Sequence, residues 1–534
     1  MRRMMLGVKA TVAYQGNEKV SIQYIVSSRY HAYRALLDQM LHPRHGESAG
    51  EESPPSPPAK NSEAHELCRL SLPDFILQHS AEPRDAYIRQ RASGVPDTMF
   101  QNEILRAYIK HVHPFLPVVD LADFISAALQ QPLETEAQNS MVLQAAMVAA
   151  APFVDMQLLA SRGFASHKEV QITFYERAKV LYRREMESPC LSLVQAALLL
   201  SSGVSTKEAG AWLRLATSYA RAMGLQRDSR EPAQGAVYRR LAKRIWWTCY
   251  MRNCVHGISI GAPQLMDYTD EHPAALHIDD LDLNPLQADV LSQLQITRDR
   301  DPSSEDRMVA HAYVEFVRCC YILGQHLVER SRSNKAQSSH VSEPYDFTEV
   351  FKCDLALEDW FHGLPETLKC VDVDSWKLLD QQSSGVVRIY SSLLMGMYLA
   401  SHIVLHSPQA RASCRDVDPE IRELAQSRIS RSAVLITEIF RALSRNGDTA
   451  ILPDIATPIL RLSCVIHVSY RRSLCSVTRL GSCDRLEACM AALYQLRGMH
   501  ITADSLYREL RSMLMRGSVE TLSYGPERSG LSSR

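Results

Sequence analysis

Between Ala211 and Met223 the apolar residues Trp212, Leu215, Ala216, Tyr219, Ala220 and Met223 recur at the spacing of one face of a 3.6-residue period. Arg214, Thr217, Ser218 and Arg221 fall on the other face. The pattern predicts an amphipathic helix closed by Gly224, a residue suited to a left-handed C-cap. A polar connection with Pro232 and Gly235 leads to a second helix from about Tyr238. Ile245 to Met251 is apolar on nearly every side, so burial among packed helices is expected. Arg239, Arg240, Lys243 and Arg244 crowd the first turns of this helix, where the dipole disfavours cations. Compensating groups are therefore expected beside them.

The same reading extends along the chain. Leu105 to Phe124 predicts a helix ended by Pro114, a segment kept extended by Pro117, and an N-cap at Asp120 with Asp123 three residues on. Met141 to Val154, Phe174 to Arg184 and Leu191 to Ser201 read as helices. Thr297 to Asp306 reads as a charged loop and Ser331 to Glu343 as a Ser-rich one, both expected to be mobile. A helix through Leu357 and Trp360 stops at Gly363-Leu364-Pro365, and Tyr390 to Pro408 is a long buried helix. Arg431 to Leu443, Ala456 to Arg471 and Cys489 to Leu514 complete the helical set. No sustained period-two alternation bounded by hairpin turns occurs, so the fold class is all-α and multi-helical.

Composition divides the chain. Residues 1–45 form a basic arm, with seven Lys and Arg residues against Glu18 and Asp38. Residues 46–62 are a Pro/Ser-rich linker containing Ser53-Pro54-Pro55-Ser56-Pro57-Pro58. Residues 63–516 are the helical domain, and 517–534 a polar tail expected to be disordered. The 534 residues are otherwise nearly neutral, with Lys+Arg 59 against Asp+Glu 60, so no global charge points to nucleic acid. The apolar run after Arg2 and Arg3 is broken by Lys9, too short for a secretory signal. Ile389 to His406 is the longest apolar run, and its serines and histidine suit a buried helix better than a membrane span. Thirteen scattered cysteines suit reduced, buried thiols in cytoplasm or nucleus.

Three patterns imitate catalytic or metal chemistry. Gly257-Ile258-Ser259-Ile260-Gly261 matches a nucleophile elbow, which would make Ser259 the nucleophile of a serine hydrolase. An elbow needs a strand feeding a turn into a helix, whereas a tryptophan-rich helix precedes this one. Asp270, His272, His277, Asp279, Asp280 and Asp282 could suggest metal ligands but lack a helical or calcium-loop spacing, so an acidic turn is expected. His111 and His113 do not share a helix face. No residue is assigned a catalytic or metal-binding role, and no cofactor is expected in this chain.

The order Ala222 to Asp228, Arg239-Arg240, Trp246-Trp247-Thr248-Cys249-Tyr250, Gly261-Ala262-Pro263 and Ile278-Asp279-Asp280 resembles the fungal-specific transcription factor domain. That domain is the middle homology region of fungal zinc-cluster transcription factors. Tyr108 with His113-Pro114 and Pro117, Gln195 to Leu200, the Leu357–Trp360–Leu364-Pro365–Leu368 element and Leu405-His406-Ser407-Pro408 extend the likeness over roughly residues 100 to 515. Family members carry Asp-Arg after the tryptophan pair and Gly-Arg-Pro beyond it. Here those places read Asn253-Cys254 and Gly261-Ala262-Pro263, so the charge contacts of that corner are not carried over.

The family's zinc cluster needs two Cys-x2-Cys-x6-Cys half-sites, yet the first cysteine is Cys68 and no Cys-x-x-Cys occurs. Zinc would enter only with a cluster encoded upstream. The resemblance implies a nuclear transcriptional regulator of a metabolic or biosynthetic gene set. It would reach DNA through a missing or partner-supplied module, act as a homo- or heterodimer, and sense a small-molecule effector near Trp246 and Trp247. The alternative is an interaction-only modulator of a zinc-cluster factor, without DNA binding of its own.

Overall fold

The computed structural model describes residues 98–516, apart from stretches at 131–136, 187–189, 229–234, 262–270, 282, 284–285, 297–302, 338–347, 370–384, 412–417 and 472–475. The basic arm, the linker, residues 63–97 and the tail from 517 lie outside the described residues. Among the described residues there are sixteen α-helices and no strand, as the all-α reading expects.

Helix α1 (Thr98–Ala107) passes through a π-helical turn, Tyr108–Val112, into the His113-Pro114 corner. The amide of His113 reaches back five residues to the Tyr108 carbonyl at 2.9 Å, and Pro114 cannot extend the ladder. Asp120 then caps α2 (Leu121–Gln130), its carboxylate accepting from the Asp123 amide at 3.2 Å. Small-residue helix α3 (Ala137–Ala150), short α4 (Met156–Ser161), α5 (His167–Glu185) and α6 (Leu191–Leu200) follow. Alanines at 145, 146, 149 and 150 let α5 and α6 pack closely against α3.

Helix α7 (Thr206–Ala222) opens on a capping box between Ser205 and Glu208. It closes on Gly224 at φ +73°, with the Leu225 amide on the Ala220 carbonyl at 3.0 Å, a Schellman closure. Trp212, Leu215, Ala216, Tyr219 and Ala220 are buried as the period predicts. Thr217, placed on the polar face, is buried too, because its hydroxyl meets Asn253 of the next helix. That helix, α8 (Ala236–Ile260), is buried without a break from Arg244 to Ile258.

After α9 (Ala288–Gln293) comes α10 (Ser304–Gln337). The polar loops expected at 297–306 and 331–343 both give ground to α10. Ser303 and Asp306 form its capping box, each backbone amide held by the other's side chain at 3.1 and 3.0 Å. The helix also runs through the Ser-rich stretch to Gln337, local propensity being a weak constraint on a helix already propagating.

Helices α11 (Thr348–Gly363), α12 (Gly385–Arg411), α13 (Pro419–Arg445) and α14 (Ala456–Tyr470) pack in sequence, and α12 also lies against α10 and α14. Pro408 does not end α12. It sits in the last turn of the helix, and Gln409 beyond it is buried. Gly385–Ala410 is long and apolar enough to cross a membrane, yet its most apolar window is wholly buried among neighbouring helices, as expected of a core helix. The single helix expected over Cys489–Leu514 is instead two, α15 (Ser476–Leu496) and α16 (Ile501–Arg516). The break falls at Arg497–His500, where the buried His500 ring is tied to the Leu452 carbonyl at 2.7 Å.

Candidate regulatory site

The corner between α7 and α8 is where the cationic helix start finds its compensation. Lys243 pairs with Asp280 at 2.7 Å, and that carboxylate also accepts the His277 amide at 2.8 Å. Arg244, buried, donates to the carbonyls of Asp280 at 3.3 Å and Val119 at 3.0 Å. The acidic turn read from the sequence is real: Ile278–Asp280 is a single 3₁₀ turn boxed by His277 and Asp280. On the other side, Arg227 pairs with Glu271 at 2.6 Å, and the Asp228 carboxylate accepts the Ala274 amide at 3.2 Å. These contacts dock the segment before the acidic turn onto the α7–α8 corner.

A cleft of about 620 Å³ opens between the two helices at this corner. Arg227, Arg239, Arg240 and Lys243 line it against Asp228 and Asp280. Arg239 and Arg240 are exposed, so the cleft presents an excess of positive charge. A smaller cleft of about 240 Å³ lies under α2, between Asp120, Asp123, Phe124, Val142 and Gln195.

The tryptophan pair sits deeper. Trp246 donates its indole N–H to His272 Nδ1 at 3.3 Å, and Trp247 donates to the Ala274 carbonyl at 3.1 Å. The His272 ring stacks on Trp247 at 5.7 Å and meets Tyr250 and Tyr321 edge-on at 5.6 and 5.7 Å. The space beside the tryptophans is thus filled by rings, and neither indole lines either cleft. Both are core residues that anchor the 271–281 segment.

Asn253 stands where the family has an acid, and it makes neutral bonds. Its amide donates to Thr217 Oγ1 at 3.1 Å and to the Cys249 carbonyl at 2.8 Å. The neighbouring Cys254 thiol points to the Cys320 carbonyl at 3.6 Å. Gly261 caps α8 at φ +65°, and Ala262 and Pro263 lie outside the described residues. The charge that does act here is Arg252, which sequence reasoning missed. It grips the Asp454 carboxylate with both guanidinium nitrogens at 2.9 to 3.0 Å and donates to Ser201 at 3.0 Å.

Ser259 lies in the last turn of α8, and its carbonyl accepts from Arg461 at 3.2 Å. The segment Gly257–Gly261 is a helix end and its cap, not the strand–turn–helix of an elbow. His111 stacks on Phe153 at 5.0 Å, and its pKa falls to about 4 through burial and the nearby Lys110 charge. His113 is buried beside the Tyr108 ring. Asp270 and Asp282 lie outside the described residues. Cys249, Cys254, Cys319, Cys320, Cys353, Cys464 and Cys489 are buried free thiols, as the composition suggested.

A second buried charge cluster joins α11, α12 and α13. Asp354 lies between His402 and His406, and Arg428 bridges Asp354 and Glu358. Burial opposes ionisation of Asp354, but Arg428 and the two histidines overcome it and hold the carboxyl well below its usual range. Burial likewise lowers the pKa of His402, against the pull of Asp354. No pattern in the sequence picked out this cluster, because its members come from three separate helices.

Residues 105–362 match the profile of the fungal specific transcription factor domain. The similarity to that domain covers just under half of the chain. A transcription factor of Fusarium pseudograminearum is 29% identical over 83% of this chain and 52% of its own length. Cutinase transcription factor 1 beta of Fusarium vanettenii is 24% identical over 82% of this chain and 52% of its own. Transcription factor cpaR of Aspergillus oryzae is 24% identical over 79% of this chain and 72% of its own. The chain spans about half the length of the first two. The domain's matched segment holds the whole α7–α8 corner and both tryptophans, and ends at the close of α11.

Proposed function

We propose that this chain is the regulatory body of a fungal transcriptional regulator, acting in the nucleus on a metabolic or biosynthetic gene set. The observation that carries the proposal is the domain match over residues 105–362, with relatives named as transcription factors aligned well beyond that segment. The chain does no chemistry in this reading. Its helices hold an activation function in check or release it, and it works as a dimer.

DNA reading comes from a zinc-cluster module outside this sequence or on a partner chain. None of the thirteen cysteines falls in a Cys-x2-Cys spacing, so the residues present do not fit a zinc cluster. The effector enters the cleft at the α7–α8 corner, whose volume lies in the range of small-molecule sites. The cationic lining from Arg227 to Lys243 selects an anionic ligand, such as a small organic acid. The effector shifts the regulator only if it binds the active and restrained forms unequally.

The test fuses the chain to a heterologous DNA-binding domain beside a reporter. Reporter output that changes with the fusion, and again when Arg239 and Arg240 are both replaced by Ala, supports the reading. A fusion that leaves the reporter at the level of the DNA-binding domain alone sinks it. The near-neutral charge favours a second reading, an interaction-only modulator of a full zinc-cluster factor. A gel-shift assay at physiological salt separates the two, since sequence-specific retention by the pure chain excludes a purely indirect role.

A further inference from the structure

The cluster at the junction of α11, α12 and α13 is set out like a metal centre. His402 and His406 are four residues apart on α12, so both rings leave the same face of the helix. Each ring points one nitrogen at the same carboxylate oxygen. His402 Nδ1 is 3.1 Å and His406 Nε2 3.2 Å from Asp354 Oδ1, and the three atoms lie within 4.8 Å of one another. Donor atoms held ~2.0–2.1 Å from a tetrahedral zinc-type ion stand ~3.3 Å from each other. The two histidine–carboxylate distances are therefore already close to the spacing that a shared ion imposes.

We propose that Asp354, His402 and His406 bind one divalent transition-metal ion of the zinc type, which clamps α11 to α12. Two imidazoles and one carboxylate are a donor set that such ions accept. The rest of the cluster reads as its support. Arg428 approaches the other carboxylate oxygen, Oδ2, at 3.3 Å and holds Glu358 at 2.6 Å, so it orients Asp354 while leaving Oδ1 to the rings. The Tyr398 ring packs edge-on against His402 at 4.6 Å and fixes its plane. His402 Nε2 is buried with no hydrogen-bond partner among the described residues, so no competing bond holds the ring to another orientation. All three ligands are buried, so the ion is captured as the chain folds.

The test uses the full chain, expressed with zinc or with cobalt in the medium and purified by gel filtration. Retention of about one equivalent of metal per chain is expected. The cobalt form should show visible d–d absorption without the near-ultraviolet band of thiolate-to-cobalt charge transfer. The double variant His402→Gln/His406→Gln should retain less than about a tenth as much metal. A wild-type chain without bound metal overturns the proposal. So does a thiolate band, which would assign the metal to cysteines, or a double variant that retains as much metal as the wild type. Should the double variant fail to fold, the wild-type stoichiometry and spectrum decide alone.

Discussion

Arg252 and Asp454, 202 residues apart in sequence, face each other as a two-pronged ion pair between α8 and the turn before α14. The Arg252 side chain is 6% exposed and that of Asp454 16%. Removing one partner of such a pair leaves the other charge unanswered in a poorly solvated place. Arg252→Met is expected to lower unfolding free energy by about 3 kcal/mol, whereas the paired change Arg252→Met with Asp454→Leu should recover most of it. Denaturant midpoints of the three proteins check this, and equal losses in the single and double variants would refute it.

Two glycines separate backbone strain from crowding. At Gly224 a Cβ would meet nothing within 4 Å, but φ is +73°. Gly224→Ala should therefore cost about 1 kcal/mol, through the left-handed cap alone. At Gly324 on α10 a Cβ would stand 2.2 Å from the Tyr250 hydroxyl. Gly324→Ala should cost about 2 kcal/mol, and Tyr250→Phe in the same chain should relieve part of it. Thermal melts of the variants read both effects.

His467 is buried on α14, and its pKa falls to about 4 through burial and the nearby Arg485 charge. The unfolded chain takes up that proton near pH 6.5, before the folded chain does. The contribution is therefore whole above about pH 6.5 and is lost as pH falls towards about 4. His111 adds a loss of the same sign over the same window. His467→Gln should flatten the fall of stability between these pH values by roughly 2 kcal/mol. Denaturation curves from pH 7 to 4 measure the slope, and an unchanged slope would contradict the assignment.

Asn253 supplies neutral bonds where relatives of the family pattern carry an acid. With Thr217 and the Cys249 carbonyl around it, Asn253→Asp puts a carboxylate opposite another acceptor. A loss of about 2 kcal/mol is expected, larger at pH 8 than at pH 5, where the acid can be protonated. Comparing the two melting temperatures at the two pH values tests it.

The α7–α8 architecture was legible in the sequence because it rests on local rules. The face of Trp212, Leu215 and Tyr219, the Gly224 cap and the burial of Ile245–Met251 all come from spacing within a few turns. The start of α10 was legible in principle: Ser303 with Asp306 is a capping pattern, hidden inside a stretch that reads as a charged loop. The cluster around Asp354 was not legible. Its charges look like ordinary polar faces of three helices until packing brings them together. The same holds for Thr217, whose burial depends on Asn253 of the neighbouring helix. Likewise, His500 breaks α15 from α16 through a bond to Leu452, which no local period encodes.

The matched domain segment stops at residue 362, but the mechanical unit does not. Arg252 is anchored at Asp454, Arg461 reaches the end of α8, and α10 rests on α12. The segment that defines the family thus leans on walls built some hundred residues later. A premature stop after α11 would leave every signature residue of that segment in place and still unroof α8 and α10. Loss-of-function alleles should therefore scatter beyond residue 362 as well, outside the matched segment.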